Sequence, residues 1–105
     1  MQLVQTGPEL KIDTIQLRKA ALVYRSVNHP LRQQMLRLIH QKGSITVTDL
    51  YVKLRLEQAV ASQHLAILRR SNIVSTERKA KNIFYSVNYQ QLDHLHNITS
   101  TLLNG

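Results

Sequence analysis

The sequence predicts a mainly α domain carrying a small β-hairpin, and three observations predict it. Apolar residues recur at helical spacing in five stretches. Two short strand-like runs lie at residues 73–77 and 82–88, and in the second Ile83, Tyr85 and Val87 alternate with Phe84 and Ser86. The residues joining those runs, Arg78 to Lys81, carry three of the chain's fourteen Lys and Arg.

The elements follow in order. Residues 1–12 contain Gly7 and Pro8 and show no period, which predicts a loose N-terminal arm; residues 13–105 are read as one domain. Asp13 can cap a first helix running to Val27, with Ile15, Ala20, Leu22, Tyr24 and Val27 as its apolar surface. Asn28-His29-Pro30 is a break, since the residue before proline avoids helical angles, and Pro30 suits the first turn of a second helix. Leu31, Met35, Leu38 and Ile39 fall on one face of that helix, and Gly43 is placed to end it. Ser44–Val47 is β-branched and predicts a small edge strand. Thr46 or Thr48 can cap a third helix over about 48–55, with Asp49 near its positive end and Leu50, Val52, Leu54 and Leu56 as contacts. A turn at Leu56-Glu57 leads to a fourth helix over about 58–71, which Asn72 can stop in a left-handed conformation. Two strands, Ile73–Glu77 and Asn82–Asn88, flank a loop at Arg78–Lys81 that lacks glycine, so no turn type is assigned. A last helix from Tyr89 carries Leu92, Leu95, Ile98 and Leu102 along one side. The order α-α-β-α-α-β-β-α is that of a winged helix-turn-helix with an extra helix at each end.

Composition narrows the function. At 105 residues the chain has room for one modest core and none for a large substrate cleft. A net charge of +8 and a pI near 10.3 favour a polyanionic partner. The absence of cysteine excludes disulfides, thiolate metal sites and thiol nucleophiles. MQLVQTGPEL lacks the pattern of a secretory signal, and no apolar run is long enough to span a bilayer, so a cytoplasmic protein without a membrane partner is expected.

Advancing about 100° per residue along the fourth helix places Val60, Ala61, His64, Leu65 and Leu68 on one side. Gln58, Ala59, Ser62, Gln63, Ala66, Arg69 and Arg70 share the other. That outer side has the chemistry of a DNA reader. Glutamine pairs bidentately with adenine, serine bonds a base edge or a phosphate, and alanine permits close approach and touches a thymine methyl. Arg69 and Arg70 can neutralise phosphates, as can Arg78, Lys79 and Lys81 of the hairpin. His64 is retained in this set, although its inward position also fits a half-buried histidine bonded to backbone.

These residues resemble the arsenic-repressor family of bacterial transcription factors, the ArsR/SmtB type, over about residues 20–90. Asn28-His29-Pro30-Leu31-Arg32 with Met35-Leu36-Arg37-Leu38-Ile39 resembles its second-helix signature, and Thr48-Asp49-Leu50 the start of its third helix. Ser62-Gln63-His64-Leu65 with Leu68, Ile73 and Val74 resembles its recognition helix, and Arg78-Lys79-Ala80-Lys81 with Tyr85 its wing. The resemblance implies a homodimer, paired through its first and last helices, that represses from an operator in double-stranded DNA. Leu22, Leu92, Leu95, Ile98 and Leu102 are the expected dimer contacts, because so small a domain cannot cover two apolar helices itself.

The family's usual metal switches are not expected. Thr46 and Thr48 stand where its best-known sensor has cysteines, and hydroxyls are poor ligands for a soft metal. Asp93, His94 and His96 resemble a second family site, but two histidines two residues apart point to nearly opposite faces of a helix. No cofactor is expected, and the inducer is not legible. Catalysis is not expected either: Ser62 and His64 point different ways, and six scattered acidic residues make no paired-carboxylate site. The competing reading is a winged-helix module that binds protein or RNA without sequence-specific DNA readout.

Overall fold

A computed structural model describes residues 9–105. Five helices and three short strands follow the expected order: α1 (Thr14–Val27), α2 (Pro30–Lys42), β1 (Ile45–Thr46), α3 (Val47–Leu54), α4 (Gln58–Arg70), β2 (Val74–Lys79), β3 (Asn82–Val87) and α5 (Tyr89–Asn104). Residues 9–12 have no regular structure, and the first eight residues of the expected arm lie outside the described part.

The helix boundaries are set by local chemistry. Asp13 accepts from the Gln16 N–H at 3.0 Å, and Thr46 rather than Thr48 caps α3, accepting from Asp49 at 3.2 Å. Pro30 opens α2, where the His29 ring takes the capping role through Nδ1 to the Leu31 N–H. Gly43 closes α2 with φ of 78°, a conformation that costs glycine little. Asn72 stops α4 at φ of 62°, as its left-handed tolerance predicts. Asn88, read from the sequence as the end of the last strand, instead caps α5, its side chain accepting from the Gln91 N–H.

The strands form one antiparallel sheet in the order β1-β3-β2, with Val74 opposite Val87 and Lys79 opposite Asn82. The hairpin therefore differs from expectation. β2 continues through Arg78 and Lys79, leaving only Ala80 and Lys81 in the connection. A two-residue loop needs positive φ, and with no glycine present Ala80 takes it at 55°. Backbone pairing across the ladder thus overrides the side-chain preference at the tip.

The core is built by α2, α3, α4 and the sheet. Met35, Ile39, Leu50, Leu65, Leu68 and Ile73 are fully buried, with Ile45, Val74 and Val87 beside them. Val52, expected as a core contact, instead faces solvent; Leu50 and Leu54 supply the α3 contacts. An eight-residue helix lying on one side of the core buries only one stripe.

The terminal helices are different. α5 buries no residue completely, and α1 buries only Ser26. Ile15, Leu17, Leu22, Ile98, Leu102 and Leu103 are all exposed, Leu102 to 76%. The radius of gyration, 18.2 Å, exceeds the roughly 13 Å expected of a compact chain this long, and the longest extent is 62 Å. The two helices meet near Tyr24, whose hydroxyl lies 3.0 Å from Thr99 Oγ1, and then extend beyond what the core covers.

Candidate nucleic-acid interface

The outward side of α4 is the one the helical wheel predicts. Ala61, Leu65 and Leu68 are buried, while Gln58, Ala59, Ser62, Gln63, Ala66, Arg69 and Arg70 are exposed. The burial of Ala61, Leu65 and Leu68 at i, i+4 and i+7 fixes the rotation of the helix about its axis. Anchoring that face turns Ser62 and Gln63 to solvent. At the N-terminus Glu57 makes no side-chain capping bond, so its carboxylate supplies charge to the helix dipole without closing the first N–H groups.

The wing carries Arg78, Lys79 and Lys81, all exposed. Lys79 Nζ stands 5.6 Å from the centre of the Phe84 ring, which restrains one of the three cations by a cation–π contact. Ser75 and Ser86 face each other across the ladder at 3.3 Å, tying the base of the hairpin. The wing is thus a short, doubly supported ribbon whose tip is basic.

His64 is half-buried, but its partner is not backbone. Its Nδ1 accepts from Arg32 Nε at 3.1 Å, which leaves the ring proton on Nε2. Partial burial, the Arg32 guanidinium and then His29, whose ring centroid lies 5.0 Å away, all hold its pKa below the usual 6.5. His64 is therefore a neutral ring that anchors α4 to α2.

Arg32 is the residue that sequence reasoning missed. Besides His64 it donates to the carbonyls of Arg25 and Ser26 through one guanidinium nitrogen, at 3.1 and 3.2 Å. Gln33 Nε2 closes the next carbonyl, Val27, at 3.0 Å. Two side chains of α2 thereby satisfy the end of α1, whose last carbonyls have no helical partner. The Asn28–Arg32 signature marks Arg32, but nothing in its spacing indicates a bond to a residue 32 positions away.

Of the expected dimer residues, Leu22, Ile98 and Leu102 are exposed and Leu95 is partly covered. Leu92 packs against the chain's own core. Among the described residues, no group of three or more His, Asp or Glu is placed to hold a metal ion, and no helix is long and apolar enough to cross a membrane.

Comparison with known proteins places this geometry. Residues 29–76 match the family model described as "Bacterial regulatory protein, arsR family". The chain is 39% identical over 67 residues to the biofilm growth-associated repressor of Agrobacterium fabrum, covering 64% of this chain and 56% of that one. It is 30% identical over 66 residues to the transcriptional repressor SdpR of Bacillus subtilis, covering 63% of this chain and 72% of that protein. The fold is also that of the homodimeric winged helix-turn-helix DNA-binding domain of Mb0332 from Mycobacterium bovis. That likeness has a TM-score of 0.73 at 18% identity and covers 94% and 91% of the two chains.

Proposed function

The chain belongs to the arsR family of bacterial regulatory proteins, transcriptional regulators and not enzymes, and from that premise we propose how it meets DNA. Two copies pair through the exposed stripes of α1 and α5. Each copy places α4 in a major groove of duplex DNA, with half-sites about one helical turn apart, roughly 34–36 Å. Gln63 and Ser62 read base edges, while Gln58, Ala59 and Ala66 allow the helix to approach closely. Arg69, Arg70, Arg78, Lys79 and Lys81 neutralise phosphates and set the register without reading sequence. Occupancy of an operator then represses the gene beside it, as the names of the two relatives suggest by analogy.

The observation that carries this reading is the exposure of Ser62 and Gln63 on a helix face without large apolar side chains, next to a basic ribbon. A face that binds protein instead would present aromatics or large aliphatics at its centre.

An anisotropy titration tests it, using duplex from upstream of the protein's own gene against a scrambled duplex. The native duplex is expected to bind at least about 10³-fold tighter. Affinity should fall steeply between about 50 and 200 mM salt, and Lys81→Ala should lower that salt slope by about one per bound subunit. Equal affinity for both duplexes would favour the protein- or RNA-binding module instead. A reporter fused to that upstream DNA shows the sign of regulation: higher expression on deletion of the protein supports repression, and lower expression refutes it.

A further inference from the structure

A concave surface lies beside the C-terminal end of α4. A cleft of about 690 Å³ opens between α1, the C-terminal end of α4 and the first turn of α5. Its floor is apolar, formed by Leu22 and Val23 of α1 and Ile67 of α4. Around that floor stand Lys19, Arg25, Arg32 and Arg70, and among the described residues no carboxylate lines the cleft.

These four cations are not equally engaged. Arg32 is held by the α1 carbonyls and His64. Arg25 Nε reaches the Ala21 carbonyl at 3.5 Å. Lys19 and Arg70 meet no acidic group among the lining residues. Like charges gathered along one concave wall raise the local potential, and one anion seated among them relieves several repulsions at once. A concave site with an apolar floor and a few convergent polar groups is also the usual form of a small-molecule pocket. A DNA phosphate would use the cations and leave the floor uncovered; an acid with a hydrocarbon body uses both.

We propose that this cleft binds a small organic carboxylate, its apolar body on Val23 and Ile67 and its acid group held by Lys19 and Arg25. The cleft adjoins Arg70 of α4, and its test uses the protein without DNA, so that its failure and a failure of α4 to meet DNA are distinguishable. The probe is 1-naphthoate, compared with neutral 1-naphthamide, titrated into the ¹⁵N-labelled full chain and followed by amide chemical shifts.

The expected result is saturable shifts at Val23, Ile67 and Arg70, with naphthoate at least tenfold tighter than naphthamide. Lys19→Gln with Arg25→Gln should weaken naphthoate at least tenfold while leaving the circular dichroism spectrum unchanged; Lys19→Arg should retain binding. Absence of saturation, equal affinity for the amide, or an unaltered affinity in the double variant would overturn the proposal. So would binding seen only after the protein is made monomeric, which would mean that a second copy occupies the cleft. If the double variant weakens all duplexes alike and naphthoate moves no amide, the cleft seats a DNA phosphate and the proposal falls.

Discussion

The two halves of this molecule solve burial differently. From α2 to β3 the chain covers itself: Met35, Ile39, Leu50, Leu65, Leu68 and Ile73 reach water hardly at all. In α1 and α5 the same kind of apolar stripe is left open, with Leu22 53% and Leu102 76% exposed. Both halves have ordinary caps and helical periodicity, so the contrast is not one of helix quality. It shows that local propensity makes the helices, while the availability of a facing surface decides which are covered within one chain. The half that presents Ser62 and Gln63 closes its core within one copy, and the other half leaves its apolar side chains exposed.

Breaking the open half should have the largest effect on DNA and the smallest on the folded subunit. Ile98→Asp with Leu102→Asp is expected to yield monomers in sedimentation equilibrium. Losing the linkage between two half-sites should lower operator affinity by about 10²- to 10⁴-fold, with helicity retained. An unchanged sedimentation profile would remove these residues from the interface. The opposite pattern is expected from the closed half. Leu68→Ala empties a fully buried site and should cost about 2–5 kcal/mol in denaturant unfolding, through lost burial and the cavity left behind.

Smaller effects sharpen the contrast within the reading half. Gln63→Ala should lose about 1–3 kcal/mol of discrimination at one or two base pairs, measured against a panel of point-substituted operators. Its unfolding midpoint should stay near wild type, because the side chain is exposed. The last prediction is a pH dependence. His64 has a folded-state pKa below 6.5, so the unfolded chain binds its proton more readily. Its contribution to stability is therefore present above pH 6.5 and is lost as pH falls from there toward the folded-state pKa. A thermal melt at pH 5.5 should lie below one at pH 7.5 by a margin that shrinks in His64→Gln. An identical margin in the variant would show that other groups carry the dependence.

Much of this arrangement was legible in the sequence because it rests on period and punctuation. Asp13, Pro30, Gly43 and Asn72 mark helix ends by backbone chemistry that operates within a few residues. The outward face of α4 is the side opposite Val60, Ala61, His64, Leu65 and Leu68, and of these Ala61, Leu65 and Leu68 are buried. What escaped depends on distant partners or on competition between two local rules. Val52 fits an apolar pattern, but α3 has only one covered side. Ala80 gives no sign of a left-handed turn; the pairing of Lys79 with Asn82 imposes it. His64 reads as an inward histidine, yet its partner Arg32 belongs to another helix and could be found only in three dimensions.

The Arg32 contacts have a mechanical consequence. One planar cation clamps the end of the outstretched α1 through one terminal nitrogen and the imidazole of α4 through Nε. Any torque that swivels α1 about its last turn must either drag α4 along or snap that clamp, so α1 and α4 are geared together through this side chain.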